Sequence, residues 1–145
     1  MQTPEKPKAK RILLVDDDID LLMLLERKLQ KSGYLIESAA SMPEAEYVLS
    51  LFKPDLVILD INIAGDDGRQ LCWKIKHAEE ERKAKVILMS GYNYPIGGPL
   101  SFGADDYVAK PFQSEFLANK IEQLLNGQQA SEPVFVFDLT KEEER

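Results

Sequence analysis

The sequence predicts an α/β fold, an open parallel sheet with helices on both faces. Three observations carry this. Short apolar runs of strand length alternate with stretches whose apolar residues fall at helical spacing, the pattern of βαβ units. Three of those runs end in charged residues: Asp16 and Asp17 after ILLV, Asp60 closing DLVILD, and Lys110 after YVA. Open sheets of this kind gather their functional groups outside the carboxyl ends of the strands. Charged residues at three run ends, far apart in sequence, are what that architecture calls for.

Strand one covers 11–15. Helix one follows, with Leu21, Leu22, Leu25 and Leu29 on one face, Asp18 or Asp20 as N-terminal cap and Gly33 as C-terminal cap. Strand two is 35–38. Ser41 and Glu44 form a capping-box pattern for helix two, where Pro43 fits the first turn and Ala45, Val48 and Leu49 make the inner stripe. Lys53-Pro54 ends that helix and launches strand three at 55–60. Helix three spans about 68–77 and buries Leu71 and Ile75. One of its neighbours Cys72 and Trp73 faces the core. Strand four is 86–89 and strand five 107–109. The last helix starts after Pro111, turns Phe116, Ile121, Leu124 and Leu125 inward, and stops at Gly127. Five strands joined by right-handed crossovers give the doubly wound, flavodoxin-like order 2-1-3-4-5.

Composition bounds the rest. At 145 residues the chain is one domain by length, with 44% apolar and 30% charged residues, the balance of a soluble globular protein. We expect a flexible arm over 1–9, the folded domain over 10–127, and a linker or strand-like tail over 128–145. No apolar run has membrane-spanning length and no signal peptide precedes strand one, so no membrane partner is expected. The single Cys72 excludes an internal disulfide and fits a reducing cytoplasm. A net charge of −7 argues against direct nucleic-acid binding by this chain.

The fold brings Asp16, Asp17, Asp60 and Lys110 to one sheet edge. Clustered carboxylates repel unless a cation sits between them. A hard divalent metal suits the acidic cup, and Lys110 adds fixed positive charge for an incoming anion, which describes a phosphate site. An EF-hand reading of Asp16, Asp18 and Asp20 fails, because the sixth position is Leu21 rather than glycine and the twelfth is Arg27 rather than glutamate. His77, near a polar helix end beside Glu79, Glu80 and Glu81, reads as a solvated residue.

Over roughly residues 10–126 the chain resembles the receiver domain of two-component response regulators. VDDD after strand one, Asp60 at the tip of strand three, Ser90-Gly91 after VILM, and GADDYVAKPF at 103–112 occur in that family's order. The resemblance implies Asp60 as phosphoacceptor, Asp17 as direct metal ligand, and Asp16 as a carboxylate holding the metal through water. It also implies the backbone carbonyl of Asn62 as a further ligand, Ser90 as switch hydroxyl, Tyr107 as switch aromatic, and Lys110 as the phosphate-pairing lysine. The implied cofactor is Mg²⁺, with Mn²⁺ as second candidate. The implied phosphodonor is a sensor histidine kinase or a histidine phosphotransfer protein. The domain would catalyse only its own phosphorylation and dephosphorylation. A receiver-like scaffold indifferent to phosphorylation is the alternative. A phosphohydrolase of outside substrates is disfavoured, since no cap domain or substrate pocket is evident.

Three departures from the family bear on function. The family often has proline four residues after the phosphoacceptor, where this chain has Ala64, although Gly65 and Gly68 keep the turn chemistry. The family's fourth helix should be absent or reduced, because GYNYPIGGPLSF at 91–102 holds two prolines and three glycines, each proline costing a helix interior about 3 kcal/mol and each glycine about 1. Tyr92, bulky and two residues after Ser90, is the third departure and is expected to shield the acyl phosphate from water. With the fourth helix lost, the output surface would be rebuilt around Tyr92, Tyr94, Ile96 and Leu100. A homodimer, if formed, would use a non-standard face or the tail, whose β-prone run PVFVFDL at 133–139 could pair with an edge strand. The cognate kinase and the output partner or effector domain are not encoded in any motif.

Overall fold

The structure, a computed structural model, describes residues 8–80, 83–91 and 102–126. Five parallel strands form one sheet: β1 (Arg11–Val15), β2 (Leu35–Ala39), β3 (Leu56–Asp60), β6 (Lys85–Ser90) and β7 (Asp106–Ala109). Their spatial order is β2-β1-β3-β6-β7. This is the predicted 2-1-3-4-5 order, with a two-stranded hairpin, β4 (Asn62–Ile63) and β5 (Asp66–Asp67), inserted after β3. The helices are α1 (Ile19–Lys31), α2 (Met42–Phe52), α3 (Gly68–Lys76) and α4 (Ser114–Asn126).

Alternate strand residues feed two cores, because successive side chains point to opposite faces. Ile12, Leu14, Ile58 and Ile87 pack with Leu22, Leu25 and Leu29 of α1 and Leu117 and Ile121 of α4. Leu13, Val15, Val57, Leu59 and Leu88 pack with Ala45 of α2 and Leu71, Cys72 and Ile75 of α3. All five residues of β3 are buried, as expected of a central parallel strand covered on both faces. Full burial of each large aliphatic side chain favours folding by about 1.5–3 kcal/mol.

The helix ends follow local chemistry. Asp18 caps α1 by accepting from the Leu21 N–H at 3.2 Å. Gly33, at φ +98°, supplies the left-handed residue that ends it. Ser41 Oγ accepts from Glu44 N–H, while Glu44 Oε1 reaches back to the Ala40 N–H, one residue before the cap. Asp67 caps α3. Lys76 Nζ bridges Asp105 Oδ2 at 2.8 Å and the Ala84 carbonyl, tying α3 to the loop before β7.

One inward assignment is corrected. Phe116 is half exposed (52%), whereas Leu117 is fully buried. The inner stripe of α4 therefore runs 117, 121, 124, 125, which is the regular i, i+4, i+7, i+8 spacing. Phe116 instead lies under the Lys120 ammonium at 4.9 Å. Of the adjacent pair on α3, Cys72 faces the core and Trp73 is exposed, stacking on His77 at 3.9 Å. The expectations for the family's fourth helix, Tyr92, Tyr94, Ile96, Leu100, Gly127, the N-terminal arm and the tail lie outside the described residues. Among the described residues no helix is long and apolar enough to cross a membrane.

Gly68 opens α3 where the chain passes closest to the end of β3. Its N–H donates to the Ile61 carbonyl at 2.6 Å, and a Cβ placed on it would collide with the Asp60 carbonyl oxygen. Backbone cannot yield as a flexible side chain can. Gly68→Ala should therefore cost about 1–3 kcal/mol, read as a lower midpoint in thermal or urea unfolding. An unchanged midpoint would show that the Asp60 loop moves aside freely.

Candidate functional site

The carboxyl ends of β1, β3 and β6 form one rim, and the first residues beyond them supply the polar groups. Asp16 follows β1 and continues its ladder, its N–H donating to the Ala39 carbonyl at 3.1 Å. Asp60 ends β3 and Ser90 ends β6. All three are buried, at 1%, 6% and 1% exposure, which is unusual for aspartate unless it is paired. Asp16, Asp17, Asp60, Asn62, Ser90 and Lys110 line a single cavity of about 230 Å³ together with Asp18 and Gly91.

Lys110 makes the pairing. Its Nζ donates to Asp16 Oδ2 at 2.6 Å and to Asp60 Oδ2 at 2.7 Å. The remaining carboxylate oxygens are held by backbone. Asp16 Oδ1 accepts from Asp18 N–H at 2.9 Å and Asp60 Oδ1 from Asn62 N–H at 3.0 Å. Lys110 is itself anchored by its own N–H on the Ser90 carbonyl at 2.7 Å, and its peptide bond to Pro111 is cis. Asp17 is the exposed member, and its Oδ2 accepts from the Ala64 N–H at 2.8 Å.

The electrostatics follow from burial. Desolvation pushes the Asp16 carboxyl above its ordinary value, helped by the charge of Asp60, and outweighs the opposing hydrogen bonds from Lys110 and the Asp18 N–H. Desolvation alone would lower Lys110, but its bonds to Asp16 and Asp60 prevail and raise it. The ammonium therefore stays charged while one of its partners is reluctant to ionise. Lys110 pairs with two carboxylates, while oxygens of three, Asp16, Asp17 and Asp60, lie within 4.8 Å of one another. An all-oxygen, hard and few-membered donor set fits an ion such as Mg²⁺, which binds through one or two carboxylates and keeps waters for phosphate oxygens to replace.

Tyr107 lies apart from this cavity. It sits on β7 opposite Leu88, packs partly buried against the α2–α3 core, and lines a separate cavity of about 520 Å³ with Pro111, Phe112 and Phe116. Sequence reasoning missed the hairpin and its bond to Asp17. Its turn is Ala64-Gly65, and both residues have positive φ, +52° and +90°. That is the type I′ geometry that Asn-Gly usually signals, so alanine concealed it. Asn62 Oδ1 accepts from Gly65 N–H at 3.2 Å and steadies the same turn.

Comparison with known proteins yields three kinds of match. The model of the response regulator receiver domain family matches residues 12–122. A probable transcriptional regulator of Cyanophora paradoxa is 35% identical over 116 residues, covering 80% of this chain and 48% of its own. An uncharacterized transcriptional regulatory protein of Bacillus subtilis is 36% identical over 117 residues, covering 79% and 48%. The chain thus spans about half the length of the curated relatives it matches. A receiver domain protein of Methanospirillum hungatei superposes with TM-score 0.76 at 31% identity, covering 83% of this chain and 97% of that one. A response regulator of Burkholderia pseudomallei, solved with a phosphorylated aspartic acid and a calcium ion, superposes with TM-score 0.68 at 25% identity, covering 75% and 64%.

Removing the lysine should expose the cost of the cup. Lys110→Ala leaves two buried carboxylates without their cation, a loss of about 3 kcal/mol. The expected result is a lowered melting point in metal-free buffer and a smaller deficit at saturating Mg²⁺, since a cup that has lost its lysine carries more uncompensated negative charge and would gain more from a bound cation than the wild type does. Equal deficits in both buffers would mean that the lysine does not neutralise the site.

Proposed function

The chain belongs to the response regulator receiver domain family, and we propose that it is a phosphoryl-accepting switch that takes its phosphoryl group from a phosphohistidine partner onto Asp60. The observation that carries this is Asp60 itself: a nearly buried carboxylate at the floor of an open cavity, with Lys110 bonded to it at 2.7 Å. Receiver domains are regulatory phosphoacceptors rather than enzymes with outside substrates. The proposed partner is a sensor histidine kinase or a histidine phosphotransfer protein, and the proposed setting is cytoplasmic.

In the proposed reaction a carboxylate oxygen of Asp60 attacks phosphorus. The bond from phosphorus to the imidazole nitrogen breaks with its electron pair going to that nitrogen, the ring leaves as neutral imidazole because its other nitrogen carries a proton, and the product is an acyl phosphate. The chain's own part is placement and charge, which is most of what phosphoryl transfer asks of a protein. Lys110, held by the Ser90 carbonyl, turns its ammonium from Asp60 to the phosphoryl oxygens. Ser90 can donate its hydroxyl to the same group. Asp17, Asp16, Asp60 and the Asn62 carbonyl would hold Mg²⁺, which when bound offsets charge between the anionic donor and the anionic site. Water then attacks phosphorus, the bond from phosphorus to the Asp60 oxygen breaks, and inorganic phosphate leaves the free Asp60 carboxylate behind. The dianionic group brings new acceptors, and the proposed response is an inward pull on Ser90, followed by a shift of Tyr107 on β7.

The Burkholderia regulator's phosphorylated aspartic acid and calcium ion support this reading by analogy. The transcriptional regulators among the relatives support control of transcription as the output, exerted through a DNA-binding region or partner other than these residues, since the net charge of −7 disfavours DNA contact here.

Incubation with Mg²⁺ and acetyl phosphate, followed by intact mass measurement, should give one phosphate adduct on the wild type and none on Asp60→Asn. No adduct on the wild type would favour the phosphorylation-independent scaffold, and steady phosphate release from unrelated esters would favour a hydrolase. Calorimetric titration should also show Asp17→Asn losing more Mg²⁺ affinity than Asp16→Asn, by about 10-fold or more for an inner ligand. Equal affinity of the wild type and the Asp17 variant would remove that ligand.

A further inference from the structure

We infer that the backbone N–H of Ala64 is a positioning group for the metal site, holding Asp17 toward the ion through a turn that alanine permits and proline forbids. This rests on the metal reading above and deepens it. The bond joins residues 47 apart in sequence, from Ala64 N–H to Asp17 Oδ2 at 2.8 Å. It exists because the chain after Asp60 folds into a two-residue hairpin, Asn62 opposite Asp67 and Ile63 opposite Asp66. The turn puts Ala64 at φ +52°. Alanine visits that region reluctantly because of its Cβ. Proline, fixed near φ −65° and lacking an N–H, can neither adopt this turn nor make this bond.

The turn is also tied to the phosphoacceptor. Asn62 N–H donates to Asp60 Oδ1 at 3.0 Å, and Asn62 Oδ1 accepts from Gly65 N–H at 3.2 Å. One run of four residues, 62–65, thus bonds to Asp60 at one end and to Asp17 at the other. Asp17 is the exposed carboxylate of the cluster, so its side chain has the most rotational freedom to lose on binding an ion. A carboxylate has acceptor capacity for an N–H and a metal together. Hydrogen bonds from outside the ligand set orient ligands, and losing one typically costs 10–100-fold in metal affinity. The Ala64 N–H fills that role here.

The test uses the full chain with two readouts. In metal-free protein, amide hydrogen exchange of Ala64 by NMR should be slowed, and Asp17→Ala should speed it by removing the acceptor. In calorimetric Mg²⁺ titrations, Ala64→Pro should lose affinity about 10-fold or more, while Ala64→Gly, which keeps the N–H and accepts positive φ freely, should retain it. Wild-type affinity in Ala64→Pro overturns the inference, as does an equal loss in Ala64→Gly. Ala64 exchange unaffected by Asp17→Ala overturns it without need of the proline variant's folding. A wild type that takes up no Mg²⁺ overturns the metal reading beneath, whatever the exchange result.

Discussion

Two aspartates buried at neighbouring strand ends need a cation, and among the described residues Lys110 is the one that pairs with both. β1 and β3 are adjacent in the sheet, so Asp16 and Asp60 are brought together by the strand order alone. Lys110 follows β7, which is separated from β3 by β6. It must therefore reach across the end of a strand. A long, unbranched side chain can do this where the intervening residues are small, and Ser90 and Gly91 are small. The Ser90 carbonyl fixes the start of the lysine and the two carboxylates fix its tip. The rest of the site is arranged around this clamp, and a phosphoryl group arriving at Asp60 would change its partners.

The hairpin after β3 is the second constraint. It presses against the end of that strand so closely that only glycine fits at position 68. It reaches across to Asp17 through Ala64. Apolar packing fixes the two sheet faces, but the site's walls are set by backbone hydrogen bonds, four of which end on oxygens of Asp16, Asp17, Asp60 and Asn62. Such bonds fix direction as well as distance, which a metal and an in-line phosphoryl transfer both require.

Much of this was legible in the sequence. Three strands, β1, β3 and β7, carry apolar runs that lead into Asp16, Asp60 and Lys110, so the convergence of these residues followed from βαβ rules once the strand order was read. The caps Ser41 and Gly33 were legible because each has a local cause, and the α1 cap was narrowed to Asp18 or Asp20, of which the structure uses Asp18. Phe116 was misplaced although helical spacing back from Ile121, Leu124 and Leu125 points to Leu117, the residue the core buries. The hairpin was hidden because Ala-Gly is a poor type I′ signal. Its bond to Asp17 was hidden because a backbone N–H carries no signature in a side-chain pattern. Tyr107 shows the limit of motif reading, as its place in the family's order says nothing of the separate cavity it lines.

The identity of the carboxylate that takes the phosphoryl group is the most direct test of the proposed switch. Borohydride reduces an aspartyl phosphate to homoserine with loss of phosphate, leaving a permanent mark at the acceptor. After incubation with Mg²⁺ and acetyl phosphate, borohydride treatment and peptide sequencing by mass spectrometry should find homoserine at position 60 alone. Homoserine at another aspartate, or at none under conditions that give a phosphate adduct, would contradict it.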